Sequence, residues 1–476
     1  MRLIKSHLCY SPAKGLASVS LALFALPVLT ALLVTLPCAG QTASTSAPGP
    51  LSLEEAVEVA LKNNPTIREA DAYADAAQHG IKVAEAGYLP QVNFSEGFTR
   101  GNNPVYVFGS LLMQRQFTAN NFDLGLLNTP PPLDNFRTAF TASAPLYDFG
   151  RTSRRVNNAR LGARGSQEAS HRTRQEVIFE VIKAYLNNLL AREHVQVAQA
   201  AVKMTQADLG RARSRQEQGL AVPSDMLSAQ AQLAQAQEDL IRAKNAVEIA
   251  QATLNVAMGL PEDATTQVVG KIAETKFQSQ NLSNLQAEAL KARPDYLQVL
   301  LGVQQAHNGV SSARGEFMPR IDLLGSWETD NQTFAARGGN NWTAGAMLTF
   351  NIFNGGARRA QVAESRARER QAEAMRSRME SIVRLQVREA YLNLNAASQR
   401  VEVSRDAASQ ALESLRILRN RYEAGLATIM DVLMVETMQT SAQNNHLNAL
   451  YDYRLADAAL ELATGELSPN SPAVTR

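Results

Sequence analysis

Two aspartates stand at matching places in two copies of one short motif, and their carboxylates are the first candidates for chemistry in this chain. Segments 213–227 and 419–433 carry the same Arg, Glu, Gly-Leu-Ala, Asp and Leu residues in register, at an offset of 206 residues (425 − 219). An aspartate just after a turn accepts hydrogen bonds from the free N–H groups that begin a helix. The motif therefore predicts two helical hairpins with matching tips, marked by Asp225 and Asp431.

Glycine and leucine define the turn of each hairpin. Gly219 and Gly425 are expected to end the outgoing helices in the left-handed conformation, which leaves Leu220 and Leu426 displayed. The returning helix then needs acceptors for the N–H groups of its first turn. Four residues are expected to cap the returning helices, in two pairs: Ser224 with Asp225, and Thr428 with Asp431.

No second chemical centre is predicted. Catalytic and metal sites need side chains that converge, and the histidines after residue 50 lack the spacing of a metal site or a catalytic triad. They are His79, His171, His194, His307 and His446. Lys plus Arg number 47 against 45 Asp plus Glu, so no excess charge indicates a nucleic-acid partner. The sequence predicts no catalytic residues, no cofactor and no metal.

The first 40 residues have the pattern of a signal peptide. Basic residues precede an apolar run over residues 16–36, and the small-residue sequence Cys38-Ala39-Gly40 follows it. Cleavage after Gly40 would remove both cysteines, Cys9 and Cys38, and leave residues 41–50 as a linker. Two alternatives stay open: an uncleaved membrane anchor, because the run is just long enough to span a bilayer, and lipidation at Cys38.

The elements behind the tips also occur twice. Pro65 and Pro294 each interrupt a helical pattern after an Ala-Leu-Lys sequence, at an offset of 229 residues (294 − 65). Each pattern then changes to alternating apolar and polar residues, which predicts paired strands within 91–147 and 319–353. An apolar face opposite a small or polar face suits a membrane β-barrel, and it also suits a soluble sandwich or a sheet edge.

The first of these strand pairs has the longer connection. The offset falls from 229 to 206 across the hairpin, so the first loop exceeds the second by 23 residues (229 − 206). The additional residues lie within 108–132, which are rich in Asn, Phe and Pro. This segment is expected to be a passive surface loop, with contact to an external partner as the alternative.

Two long helices are predicted over 151–218 and 357–424, each about 100 Å long at about 1.5 Å per residue. Their apolar residues recur at alternating steps of three and four, which indicates supercoiled helices, and a second stripe beside the first indicates packing on both sides. Residues 51–86 and 285–315 are expected to stack on the shorter returning helices. A mixed collar is expected over 260–284.

The predicted fold is therefore mostly α with a membrane β-barrel, built as a twofold repeat of coiled-coil helices and β-hairpins. The first repeat covers 51–284 with its tip at 219–225, and the second covers 285–467 with its tip at 425–431. Residues 468–476 are expected to be a flexible tail. Four membrane-type strands cannot close a barrel, whereas three copies of the chain would supply twelve.

The twofold repeat, the strand entries marked by proline and the Gly-Leu-X-X-X-X-Asp tips resemble TolC-like outer-membrane efflux proteins over residues 51–467. The resemblance implies a homotrimer with a 12-stranded β-barrel in outer-membrane lipid and a periplasmic α-barrel. Its tips would dock on a periplasmic adaptor (membrane fusion) protein and, through it, on an inner-membrane pump. The implied function is a passive exit duct for efflux or type I secretion, of unspecified cargo.

The resemblance also assigns roles at the tips. Asp431 matches a gate aspartate of the family, and three copies would form a carboxylate ring that favours cations and has raised proton affinities. Tyr422 and Asp225 are placed to pair across the tip. The chain departs from the family pattern at Ala427 and Met434, where other members carry an arginine and a second acidic ring. These departures predict a gate with fewer polar links that opens more readily.

Two other protein classes remain as alternatives. A structural coiled-coil protein of the cell envelope would share the long helices, but it would lack the four alternating strands. A periplasmic adaptor subunit would also contain a long hairpin, but a single one, flanked by lipoyl-like and β-barrel segments.

Overall fold

The computed structural model describes residues 51–272, 281–334, 336 and 338–475. The expected signal peptide, the whole linker and residues 273–280 of the expected collar lie outside the described residues. The first repeat contains α1 (Leu53–Asn63), α2 (Pro65–Glu85), β1 (Gln91–Gly101), α3 (Pro104–Met113), α4 (Leu124–Asn128), β2 (Leu133–Tyr147), α5 (Arg151–Glu217) and α6 (Pro223–Ala257). The second contains α7 (Leu282–Ala292), α8 (Pro294–Gly315), β3 (Arg320–Asn331), β4 (Gly339–Thr349), α9 (Ala357–Glu423), α10 (Ile429–Thr464) and α11 (Pro472–Thr475).

The strands form one antiparallel sheet in the order β1-β2-β3-β4. Its register places Phe94 beside Phe140, Phe140 beside Trp327 and Trp327 beside Trp342, so that one face carries a row of aromatic rings. The opposite face carries the row Asn93, Thr141, Ser326 and Thr343. The aromatic face is exposed in the single chain. The alternation in the sequence therefore correctly predicted a sheet with one apolar and one polar face.

The helices α5 and α9 contain 67 residues each and are about 100 Å long. Each begins after a glycine with positive φ, Gly150 or Gly356, where the chain turns out of a strand. Pro65 and Pro294 occupy the first positions of α2 and α8, where proline is favoured and where it separates each helix from the one before. Within the described part of the chain, no helix has both the length and the hydropathy needed to cross a membrane.

The supercoil seam is buried in two apolar cores, one on each long helix. Val181 and Ile182 of α5 pack with α1 and α6 in one apolar core, and Val383 and Val387 of α9 pack with α7 and α10 in a second. The collar closes the first core. There, Leu51 and Val268 form a short parallel bridge, and the Tyr185 hydroxyl donates a hydrogen bond to the Leu51 carbonyl at 3.1 Å.

The tail is packed, so the prediction of a flexible segment over 468–476 is wrong for the described residues. Residues 472–475 form α11, whose Ala473 and Val474 are buried in the core that contains Leu51 and Val57. The Ala473 N–H also donates to a carboxylate oxygen of Glu461 at 3.1 Å. A short apolar pair at the end of a polar tail gave no periodic signal that could have predicted this contact.

The long connection between β1 and β2, which was expected to be a passive surface loop, contains short helices. It contains α3, a 3₁₀ turn at Ala119–Phe122 and α4. Gln114, directly after α3, is buried and donates from its side chain to Asn135 at 2.8 Å, and Asn135 donates to Asp330 at 2.7 Å. Asn135 and Asp330 lie on the polar face of the sheet, so this segment covers the end of that face farthest from the long helices.

Candidate gate and docking tips

The two tips, 219–225 and 425–431, have the predicted helix ends. Gly219 and Gly425 have φ values of 72° and 75°, in the left-handed region that favours glycine. The N–H of the next residue, Leu220 or Leu426, donates back to a carbonyl of the helix at 2.8 Å, as in a Schellman-type end. Leu220 is 66% exposed and Leu426 70% exposed. Each tip therefore presents an exposed leucine on a fixed turn.

The second tip has the predicted cap. Thr428 is the N-cap of α10, and its hydroxyl oxygen accepts from the Asp431 N–H at 3.2 Å. Asp431 in turn accepts from the Thr428 N–H at 2.9 Å and from its hydroxyl at 2.7 Å, which completes a capping box. These hydrogen bonds hold the pKa of Asp431 below its ordinary value. The raised proton affinity expected of a ring of three such groups stays a prediction about the assembly.

The first tip lacks this cap, so the prediction that Ser224 and Asp225 cap α6 is wrong. The N-cap is Val222, which makes no side-chain cap, and Pro223 holds the first helical position. Proline is favoured there because its φ already suits a helix and its missing N–H would have had no partner. Ser224 and Asp225 therefore lie inside the first turn, where Asp225 still interacts favourably with the helix dipole.

Tyr422 is 6% exposed and is held by Arg215, a residue to which the sequence analysis gave no role. The Arg215 guanidinium lies 4.7 Å from the centre of the Tyr422 ring and donates to the Tyr422 carbonyl at 2.7 Å. Because Arg215 is in the last turn of α5 and Tyr422 in the last turn of α9, this contact joins the two hairpins at their tips. The repeated arginines in the motif were the available signal.

The expected pair between Tyr422 and Asp225 is absent, since within the described residues the Tyr422 hydroxyl donates no hydrogen bond to Asp225. The two groups are still near enough to interact. Burial raises the pKa of Tyr422, the positive charge of Arg215 opposes that rise, and the negative charge of Asp225 adds to it. Arg215 therefore makes the contact that joins the two hairpins at Tyr422, and Asp225 acts on Tyr422 as a more distant charge.

The apolar residues around the tips divide unequally between the two hairpins. Tyr422 belongs to a buried cluster with Leu415, Ile429, Val432 and Leu433. Leu433 is 5% exposed, whereas its counterpart in the first repeat, Leu227, is 58% exposed. Near its tip, the second hairpin therefore buries a leucine whose counterpart the first hairpin leaves exposed.

The histidines lie apart from the tips. His194 bonds to Asn444 at 2.8 Å, and His307 to Glu369 at 2.7 Å. Among residues 51–272, 281–334 and 338–475, no three His, Cys, Asp or Glu side chains gather at a place that could hold a metal ion.

Comparison with known proteins shows which family has this architecture. The family model described as "Outer membrane efflux protein" matches residues 56–260 and 285–466, which are the two repeats. Protein CyaE of Bordetella pertussis is 27% identical over 423 residues, which cover 88% of this chain and 84% of CyaE. The alkaline protease secretion protein AprF of Pseudomonas aeruginosa is 26% identical over 439 residues, which cover 88% of this chain and 85% of AprF.

A solved structure has the same fold. The outer membrane protein VceC of Vibrio cholerae superposes with a TM-score of 0.71 at 19% identity, covering 87% of this chain and 96% of VceC. Both repeats of the sequence match the family model, and the two hairpins, the four strands and the tips occur in the order that the repeats require. The chain therefore belongs to the outer membrane efflux protein family and is an outer-membrane channel protein of the TolC type.

Proposed function

We propose that three copies of this chain form the exit duct of a tripartite efflux or secretion system, with a 12-stranded barrel in the outer membrane and an α-barrel in the periplasm. The observation that carries the proposal is the four-stranded sheet. Its aromatic face is exposed and its edge strands, β1 and β4, each lack a partner on one side within the described chain. In lipid an open sheet edge leaves backbone groups without hydrogen bonds, so closure with other copies is required.

The helical part also leaves a face to be covered by a neighbouring copy. The helix α6 packs mainly on α5, and its outer side exposes a row of apolar residues: Leu227, Ile241, Ile249 and Val256. In water such a row favours burial against another surface. A second copy of the chain would cover this row if its helices α9 and α10 lay against α6. These two helices present a groove that contains the exposed Val403 and Met438.

The tips are the proposed docking surface for the adaptor. Gly219 and Gly425 fix the turns, Leu220 and Leu426 point outward, and Ser224 and Thr428 lie beside them at the starts of α6 and α10. A helical adaptor tip can bury an exposed leucine of this kind between its own apolar residues. With three copies, six such tips would form a ring at the periplasmic end of the duct.

The gate is proposed to lie in the same ring. Asp431 would line the closed end in three copies, and the Arg215–Tyr422 contact would hold the two hairpins of each copy together. Asp225 adds a negative charge near Tyr422. Opening then requires the hairpins to separate, which breaks the Arg215 hydrogen bond and exposes the Tyr422 ring.

Two measurements test the proposal. The mass of the protein extracted from outer membranes in detergent should equal three chains, and the purified protein should form ion-conducting channels in planar bilayers. A monomeric mass, or a trimer that never conducts under any condition, would contradict it.

Docking is tested by cross-linking. Cysteine at Leu220 or Leu426 should cross-link to the adaptor encoded beside this gene, whereas cysteine at Tyr73, which is 69% exposed but lies on α2 far from the tips, should not. Equal cross-linking from all three positions would argue against tip docking.

A further inference from the structure

A cluster of charged residues joins the two hairpins above the tips, and neither the gate nor the docking surface uses it. Asp208 of α5 and Glu436 of α10 are 0% and 2% exposed. Arg419 of α9 donates to a Glu436 carboxylate oxygen at 2.5 Å, and Arg211 of α5 pairs with Asp208. These four residues are called the latch cluster below. They lie on three helices that belong to different repeats.

The two carboxyl groups of the latch cluster face one another. Each has one oxygen, Oδ2 of Asp208 and Oε2 of Glu436, that is fully buried and receives no hydrogen bond from the described protein. The groups are close enough for a hydrogen bond between them, which requires one of them to carry a proton. Burial raises the pKa of Glu436 to about 7, the neighbouring Asp208 adds to the rise, and Arg419 opposes it. A shared proton satisfies both buried oxygens at once.

The surroundings favour a proton over a metal ion. Two arginines already contact the two carboxyl groups, so a divalent cation would add two positive charges to this buried site, whereas a proton adds one. The helix α6 faces the cluster across a groove of about 490 Å³ that is bordered by Glu436. The other titratable groups on this groove are His194, which bonds to Asn444, and Asp239, which accepts from Gln235 at 3.1 Å.

We propose that Asp208 and Glu436 form a proton-dependent latch between the two hairpins of each copy, closed while the pair holds a proton and weakened when both groups are ionised. The proposal rests on the proposed function as a gated duct. Glu436 lies five residues after Asp431 on α10, about one and a half helical turns from the tip. When the tips separate, α5 and α10 also separate at the level of Glu436, and water then reaches both carboxylates.

The direction of the pH effect follows from proton binding. The latched state keeps Glu436 protonated up to about pH 7, whereas a solvated glutamate ionises near its ordinary pKa of 4.5. Between these values the latched state binds more protons, so its stability falls as the pH rises. Over this interval the ratio of unlatched to latched tips should rise about tenfold per pH unit in each copy.

Channel recordings over a pH range test the latch. In planar bilayers the open probability of the wild type should rise steeply between pH 4.5 and about pH 7 and level off at higher pH, where Glu436 is ionised in both states. Glu436→Gln should remove this rise, because its neutral amide donates to Asp208 at every pH, and Asp208→Asn should act in the same way. Glu423→Gln is the matched control, since Glu423 is an exposed carboxyl at the same tip, and it should leave the response unchanged.

Tip separation gives a readout that does not depend on conduction. Spin labels on cysteines at Leu220 and Leu426, in trimers diluted with unlabelled chains, should move apart between pH 4.5 and about pH 7. In the Glu436→Gln background the distance should stay at the short value. A helical circular dichroism spectrum equal to that of the wild type establishes that each variant is folded.

The outcomes separate the two proposals. Channels that conduct without any pH response, or a Glu436→Gln variant that keeps the full response, would overturn the latch and leave the duct intact. A pH-dependent tip distance in a protein that never conducts would overturn the duct and leave the latch standing.

Discussion

The contact between Arg215 and Tyr422 leads to a prediction that distinguishes two views of the gate. If the Tyr422 hydroxyl were the link, as the family resemblance suggests, Tyr422→Phe would loosen the tip. In the structure Arg215 binds the ring face and the backbone carbonyl of Tyr422, and phenylalanine keeps both. We therefore expect Tyr422→Phe to behave like the wild type and Arg215→Ala to open the gate.

The size of the effect follows from the two interactions that Arg215→Ala removes. A hydrogen bond from a charged donor contributes about 1.5–3 kcal/mol, and a cation–π contact at a partly exposed site about 0.5–1 kcal/mol. Because solvent partly reaches the Arg215 side chain, the lower end applies, about 2 kcal/mol in each copy. This corresponds to a shift in the opening equilibrium of roughly 30-fold per copy.

Single-channel recordings in planar bilayers measure this shift as the fraction of time spent open at fixed pH and salt. Arg421→Ala serves as the matched control, because Arg421 is the counterpart of Arg215 in the second repeat and is exposed. Its removal should change the open fraction little. Equal opening by Arg215→Ala and Tyr422→Phe, or a wild-type record from Arg215→Ala, would refute the assigned contact.

Two further predictions concern stability. Thr428→Ala removes the capping box of α10 and should lower the free energy of unfolding by about 1 kcal/mol, whereas Val222→Thr should add a cap to α6 and raise this free energy by a similar amount. Urea titrations of both variants measure these changes. If both substitutions changed the stability in the same direction and by the same amount, the difference between the tips would be contradicted. Val474→Asp places a carboxylate in the apolar core beneath α11 and should cost about 2–4 kcal/mol or release the segment. Limited proteolysis of the C-terminus then checks the release, with the exposed Thr475→Asp as control, and resistance equal to the wild type would count against the packed tail.

Much of the fold was predictable because it repeats. A period of 3.5 residues sustained over α5 and α9, and alternation over four short segments, are signals that few other architectures produce. Proline at positions 65 and 294 located two further helix boundaries correctly. The helix ends at Gly219 and Gly425 were also predictable, because left-handed turns need glycine.

The contacts that join the hairpins were not predictable from the sequence. Arg215 and Tyr422 are separated by more than two hundred residues in the sequence, and they meet because the two hairpins pack against each other at their tips. The latch cluster was unpredictable for the same reason. In the sequence Asp208, Arg419 and Glu436 each follow the ordinary pattern of a polar residue on a helix. The cap at α6 was mispredicted because the helix begins at Pro223, so that its N-cap is Val222 rather than Ser224.

The two tips have diverged in a way that bears on how a partner would act. The second tip has a capping box and a buried leucine at position 433, so its conformation is fixed from within the chain. The first tip has neither, and the hydrogen bond from Arg215 to the Tyr422 carbonyl connects it to the second. The Leu220 N–H donates to the Arg215 carbonyl at 2.8 Å, which places the proposed docking residue and the arginine in the same turn. An adaptor that buries Leu220 and reorients this turn would thus move the guanidinium away from Tyr422, which makes the less stable tip the one through which docking can open the gate.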